Sequence, residues 1–371
     1  MKNFPNSNTL NQIIVDWSYF YVLPLICFTG FIFEVISSMT FIKITKNNQN
    51  AIYKYLLYYS ISDALALLIY SFVGIFKCGA HCNTDKTFTA KAYELYVYLF
   101  VGNVLNTLSV FIDIKIALDR YLLMSKNANR TLFNRIPPKR VVFGFLAASV
   151  LLNTPYLFVY EIEQKLNSIY VIKNETHLKY DYKIIKSNFF SNKSNNNALV
   201  MIEISKDVLL LMFVFSINLL ISMSFKKQLK KKYRSEMKRE KENKTRRYSA
   251  SNPHGNSKEM PKSSKYYVRK FHYSSSMKSS RIMSNYRLER RVTLMILCLC
   301  LIFLFGHVPD MLYKIKSCLH NNYKLVNFNY LPIYLIFANL MSFSTRGLNF
   351  FVYFCFNYSF REALKKIFKF K

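Results

Sequence analysis

Acidic residues are scarce in this chain. Only 20 Asp and Glu stand against 52 Lys and Arg, a formal net charge of +32. Glycine and proline number 8 and 9 in 371 residues, and hydrophobic residues make up 51%. That composition argues against the two soluble domains that length alone suggests. Seven cysteines are too few for a disulfide scaffold. The excess of positive charge lies between long apolar runs rather than on a globular face, which excludes a nucleic-acid-binding domain and leaves no nucleic-acid partner. No nucleophile–base pair, metal-ligand cluster or phosphate loop appears, so neither an enzyme nor a cofactor or metal site is expected. The polar start, MKNFPNSNTLNQIIVDW, has no small-residue cleavage site after an early apolar core, so the first apolar run is expected to act as its own insertion signal.

What the chain has in abundance is apolar runs of membrane length. A spanning helix needs about 20 mostly apolar residues. Seven stretches qualify, at about 19–43, 53–77, 93–124, 141–160, 207–227, 291–315 and 329–355. These runs are far longer than barrel strands, so an all-α, seven-transmembrane helix bundle is expected. Residues 1–18 form an outer N-terminus, 19–355 the bundle and 356–371 an amphipathic helix with a short inner tail. Lys and Arg favour an outside N-terminus in a plasma membrane. The stretch 226–291 holds 22 of the 52 basic residues. Residues 228–288 are basic, Ser-rich and poor in apolar residues, and are expected to be a disordered third inner loop. Its ends continue spans five and six as helix, and its Lys/Arg clusters suit anionic membrane lipid. Ser249 follows Arg246 and Arg247, a pattern favoured by basic-directed kinases, against the plainer reading of a solvated charge run. Asn174 and Asn192 open glycosylation sequons in one outer loop.

Motifs at fixed places in these runs point to a family. Asp119-Arg120-Tyr121 closes the third run, Asp63 sits within the second, and Ser109 lies eleven residues before Arg120. Pro309 interrupts the sixth run, and Asn349 and Tyr353 frame GLNFFVY in the seventh. In this arrangement the chain resembles the rhodopsin-like G-protein-coupled receptors over nearly its whole length outside 228–288. The resemblance implies an extracellular ligand and a heterotrimeric G protein as partners, with arrestin and kinases at the third inner loop. It also implies an activation switch made of Asp119, Arg120, Tyr121, Pro309, Asn349 and Tyr353. NTPYLFVYEIE (153–163) and LNFFVY look like motifs of invertebrate FMRFamide-type peptide receptors. Phe360, Leu364 and Phe368 recur at i, i+4 and i+8, as expected of a helix lying in the interface.

The departures are many. The family's cysteine at the top of the third helix is Leu95, and the loop 161–206 has no cysteine. Cys78, Cys82 and Cys318 remain as disulfide candidates, with reduced thiols equally open. Cys27, Cys298, Cys300 and Cys355 read as small packing residues. His307 replaces the sixth-helix Trp, Phe350 the seventh-helix Pro, and the fourth-helix Trp and fifth-helix Pro are absent. Trp17, the one tryptophan, is at the outer edge of the first run. Asp113 and Lys115, within reach of Arg120 and Asp119, are expected to compete for the latch.

Arg346 is the most unusual residue, a guanidinium near the middle of an apolar run. The resemblance puts it in an inner polar pocket with Asp63, Ser109, Asn349 and Glu34, where the family commonly holds sodium on the Asp. Arg346 is expected to replace that ion and bridge Asp63 and Glu34; the plainer reading turns it to a water-filled cavity. For the outer half, Gly102 stands where aminergic receptors have Asp and Phe343 where opsins have Lys, so neither ligand class is implied. Gly102, Asn103, Asn106, His307, Asp310, Tyr313 and Tyr334 are the candidate ligand-binding residues. Asp310 and Glu161 would suit a basic peptide end such as Arg-Phe-amide. For each residue singly, helix-packing polarity is the plainer reading. The alternatives are a chemosensory receptor for a small molecule and a receptor-like binding or trafficking protein that no longer signals. A transporter is disfavoured because no internal repeat is visible and the span count is odd.

Overall fold

The computed structural model describes residues 13–47, 50–76, 86–124, 136–172, 175–188, 193–250, 291, 293–316 and 331–368. Helix α1 covers Ile13–Asn47, with a π-helical turn at Ser18–Val22. Helix α2, Ala51–Ser71, is started by Asn50, whose side chain accepts from the Ile52 N–H at 3.3 Å. Helix α3 joins Phe88–Ala92, a π-helical Tyr93–Val101 and Gly102–Met124. Thr87 caps its first turn through the Ala90 N–H. Helix α4 runs over Pro138–Asn153 and resumes as Pro155–Val159, with proline at the first position of each piece. Helices α5, α6, α7 and α8 are Lys193–Ala250, Thr293–Lys316, Leu331–Phe356 and Tyr358–Phe368.

Among the described residues, six helices are long and apolar enough to cross a membrane: α1 to α4, Ile204–Lys227 of α5, and α6. The chain is therefore a largely α-helical protein of membrane character. Helix α7 is 26 residues long but carries Asn339, Arg346 and Asn349, and these polar groups keep it from that set. The outward faces fit a lipid surround. Phe143 and Leu151 of α4 are 72% and 73% exposed, and Leu209, Met223 and Phe305 are similarly bare.

Two features differ from the sequence expectation. Residues Tyr160–Ile172 and Glu175–Lys186 form an antiparallel hairpin, β1 and β2, with an irregularity between Leu166 and Ser168. The all-α reading thus needs this addition between α4 and α5. Helix α5 also continues through the basic stretch to Ala250, so 228–250 is helix rather than part of a disordered loop. Its Lys, Arg, Glu and Met are good helix formers, and no Gly or Pro interrupts them before Pro253.

Helix α3 sits centrally, against α2, α4 and α5, while α1 packs on α2, α7 and α8. A core of Phe41, Tyr55, Ile112, Ile116, Ile221, Met295, Tyr353 and Phe360 joins the helices at one end of the bundle. Two glycines set the place of α7. A Cβ on Gly347 would lie 3.2 Å from the Gly30 Cα of α1, and a Cβ on Gly306 of α6 would collide with the Thr345 hydroxyl. A side chain at Gly306 would have to displace Thr345, and one at Gly347 would crowd Gly30, so both glycines favour close approach at the turn that carries Arg346.

Gly306→Val should therefore force α6 and α7 apart and cost about 1–3 kcal/mol. Thermal unfolding of the solubilised protein should show a clear fall, whereas Leu151→Ala on the lipid-facing side of α4 should shift it little.

Candidate functional site

Arg346 emerges from α7 into a buried layer between α2 and α3. Its Nη1 donates to Asp63 Oδ1 at 2.9 Å. Ser109 Oγ donates to the same oxygen at 2.8 Å, and Asn349 Nδ2 reaches Asp63 Oδ2 and the Tyr59 hydroxyl, each at 3.3 Å. One carboxylate thus collects donors from α3 and from two turns of α7. All four residues of this set are buried, so the charge-assisted bonds are shielded from water. The expected grouping of Asp63, Ser109, Asn349 and Arg346 is what the structure places together.

The second arm of Arg346 departs from expectation. Its Nη2 donates to Asn106 Oδ1 of α3, not to Glu34. Glu34 is fully buried on α1, and neither carboxyl oxygen has a hydrogen-bond partner. The Ser37, Ser60 and Tyr353 hydroxyls are likewise buried without one. The physical reason is positional: the Asn106 amide oxygen on α3 is within hydrogen-bond reach of the guanidinium, and the Glu34 carboxyl on α1 is not. Arg346 Nε is left without an acceptor.

A cleft lies next to this layer, lined by residues of α3, α5 and α6. At its rim Lys314 Nζ meets Asp207 Oδ2 of α5 at 2.6 Å and Asp310 Oδ2, one turn back on α6, at 3.1 Å. Two carboxylates share one ammonium, leaving one negative charge uncompensated. Beside the cleft is a second, small space lined by Asp63, Ser109, Arg346 and Asn349. Asn106, Val110, Phe303 and His307 line both spaces. The His307 and Phe303 rings lie 4.1 Å apart, centre to centre, tilted by 37°.

Of the residues expected to bind ligand, Asn106, His307 and Asp310 are brought to the cleft. Four are placed elsewhere. Gly102 packs against Tyr70. Asn103 offers its carbonyl to Thr107 within α3. Tyr313 is outside the cleft lining, and Tyr334 lies beneath Lys316 Nζ at 4.7 Å. Glu161 is exposed on β1, opposite Ile185. The sequence reading missed Asp207 and Lys314. Lys314 was visible as the i+4 partner of Asp310; Asp207 stands at the edge of a run and pairs only through tertiary packing.

At the other end of α3, Asp119 forms a buried ion pair with Lys115 of its own helix, and Lys115 Nζ lies 5.1 Å from the Tyr55 ring centre. Lys115 is thus the competitor that the spacing indicated. Asp113 is not part of this pair; it faces α6, where Cys300 Sγ approaches it at 4.0 Å. Arg120 and Tyr121 are half-buried. Tyr353 is enclosed, 5.0 Å from Phe41 and 5.7 Å from Phe360, and Phe350 stacks on Phe33 at 5.2 Å. Pro309 is half-buried within an unbroken α6. Cys27 and Cys300 are buried free thiols, whereas Cys355 is exposed rather than packed. Cys78, Cys82, Cys318, Asn174 and Asn192 lie outside the described residues, and of Ser249 only the helical backbone is described.

Compared with known proteins, the chain matches no family model and no curated sequence.

Removing one partner of the buried pair should be costly. Asp63→Asn or Arg346→Met leaves an uncompensated charge, and each should lose about 3–5 kcal/mol in unfolding experiments. Glu34→Gln removes no hydrogen bond and should be neutral or stabilising. A Glu34→Gln loss as large as that of Asp63→Asn would show that Glu34, too, holds the guanidinium.

Proposed function

We propose that this chain is a rhodopsin-like G-protein-coupled receptor of the plasma membrane, with α7 as its seventh span and its N-terminus outside. In this reading it binds an extracellular peptide with a basic, Arg-Phe-amide-like end and activates a heterotrimeric G protein. One observation carries the proposal: Asn106 belongs to the outer cleft and to the Arg346–Asp63 network at once. A ligand group that competes for the Asn106 amide oxygen would change what Arg346 can hold, and through Asp63 and Asn349 would alter the fit of α2 against α7. That is differential interaction with two arrangements of one network, the requirement for a ligand to shift a conformational equilibrium. The surplus negative charge among Asp207, Asp310 and Lys314 supports a cationic ligand group. The Asp119-Arg120-Tyr121 motif supports the G protein as partner.

A second reading draws on one specific contact. Lys115 already holds Asp119, which would suit a receptor-like binding protein whose latch no longer responds.

The test is G-protein activation in membranes containing the chain, with amidated peptides ending in Arg-Phe. A response abolished by Arg120→Ala and weakened at least about tenfold by Asp207→Asn or Asp310→Asn is expected. Binding without activation in the wild type would favour the second reading. Because Arg346 occupies the place beside Asp63, agonist affinity should be the same in sodium and in potassium salts. A sodium effect that disappears in Asp63→Ala would show that the ion still binds there.

A further inference from the structure

The inner ends of α1 and α8 enclose a second space that the receptor reading does not use. Helix α8 begins at a defined corner. Asn357 Oδ1 accepts from the Phe360 N–H at 3.2 Å, and Arg361 Nη1 donates to the Phe354 and Cys355 carbonyls at 3.1 and 2.7 Å. These bonds cap α7 and fix the direction of α8. The apolar face of α8 then packs inward. Phe360 and Leu364 are buried against Phe41 of α1 and Tyr353 of α7. This corrects the expectation that Phe360, Leu364 and Phe368 all lie in the lipid interface; of the three, only Phe368 is exposed. Helix α8 is therefore held by protein, and its polar edge is positioned rather than adrift.

That edge faces the last turns of α1 across a cleft of about 570 Å³, lined by Lys43 and Asn47 of α1 and by Tyr358, Ser359, Glu362 and Lys366 of α8. Two ammonium groups and one carboxylate give the cleft a net positive charge. Amide and hydroxyl groups stand beside them. Just along α1, Met39 and Ile42 are exposed on the lipid-facing side. A cationic, hydrogen-bonding cleft bordered by bare apolar surface at the end of a membrane helix has the polarity of a phospholipid turned inside out.

We propose that the α1–α8 cleft binds the phosphate-bearing headgroup of an anionic phospholipid, with Lys43 and Lys366 on the phosphate and the acyl chains along Met39 and Ile42. The lipid would brace α8 against α1, and through Phe41, Phe360 and Tyr353 it would stabilise the inner end of α7. Glu362 at the rim favours a headgroup whose hydroxyls can donate to it over a bare phosphate.

The full chain in detergent micelles, offered phosphatidylcholine with a small share of a phosphorylated phosphatidylinositol, tests this by native mass spectrometry. The wild type should retain the phosphoinositide and lose phosphatidylcholine. Lys43→Gln with Lys366→Gln should weaken retention roughly tenfold or more, and Lys366→Gln alone should weaken it part-way. Lys165→Gln with Lys183→Gln, exposed on the β1–β2 hairpin, should leave retention unchanged. Equal retention by the Lys43/Lys366 variant overturns the proposal, as does an equal loss in the hairpin control, which would mark a general charge effect. Displacement by a water-soluble inositol phosphate as effective as by the lipid would also overturn it, since the site would then serve a free phosphate. Unfolding temperatures without added lipid should match across the variants, separating lost binding from lost folding.

Discussion

A guanidinium enclosed among helices must find charge and hydrogen-bond partners there, and much of this structure is arranged around that demand. The Arg346–Asp63 pair cannot be treated as one contact among many. Desolvating both ions costs several kcal/mol each, and the pair recovers it only with good geometry and with its remaining bonds satisfied. Ser109 and Asn349 complete the Asp63 side. Asn106 completes one arm of Arg346. The close approaches at Gly30–Gly347 and Gly306–Thr345 hold that turn of α7 between α1 and α6. The same constraint accounts for Asn349 one turn from Arg346 in an otherwise largely apolar α7.

Glu34 shows the limit of this economy. It sits in the same buried region, yet the guanidinium spends its second arm on Asn106. The neighbours of Glu34 include the Ser60 and Tyr353 hydroxyls, themselves buried without a hydrogen-bond partner. The layer therefore has one well-satisfied centre and one under-satisfied edge, and the edge is on the α1 side, away from the cleft.

Much of this was legible in the chain. Helices α1 to α6 follow from run length. The grouping of Asp63, Ser109, Asn349 and Arg346 was legible only through the family resemblance, and Lys115 was visible as the residue one turn before Asp119. The choice between Asn106 and Glu34 was not legible, since it depends on how the side chains of α1, α3 and α7 meet in the packed bundle. The hairpin was legible in principle: Tyr160, Ile162 and Leu166 share the alternate positions from which Glu161, Glu163 and Lys165 are excluded, the period of a half-buried strand. It was passed over because the segment reads as a loop between spans. The length of α5 was obscured by composition, because a basic stretch resembles disorder until its lack of Gly and Pro is weighed.

The outer cleft and the inner layer meet at one amide. Asn106 lies on α3, the helix in contact with most of the others, so a displacement of its side chain is felt at α2 and α7 without any large movement of α3 itself. Neutral amide to guanidinium is a weaker bond than carboxylate to guanidinium. In the proposed receptor, an incoming ligand would displace the Asn106 bond before the Asp63 pair. The ion pair would then be the pivot and Asn106 the adjustable contact, and a signal begun in the cleft would pass through a polar group cheap enough to exchange. The reverse arrangement, with a carboxylate at position 106, would lock the cleft to the pivot and leave the ligand nothing to shift.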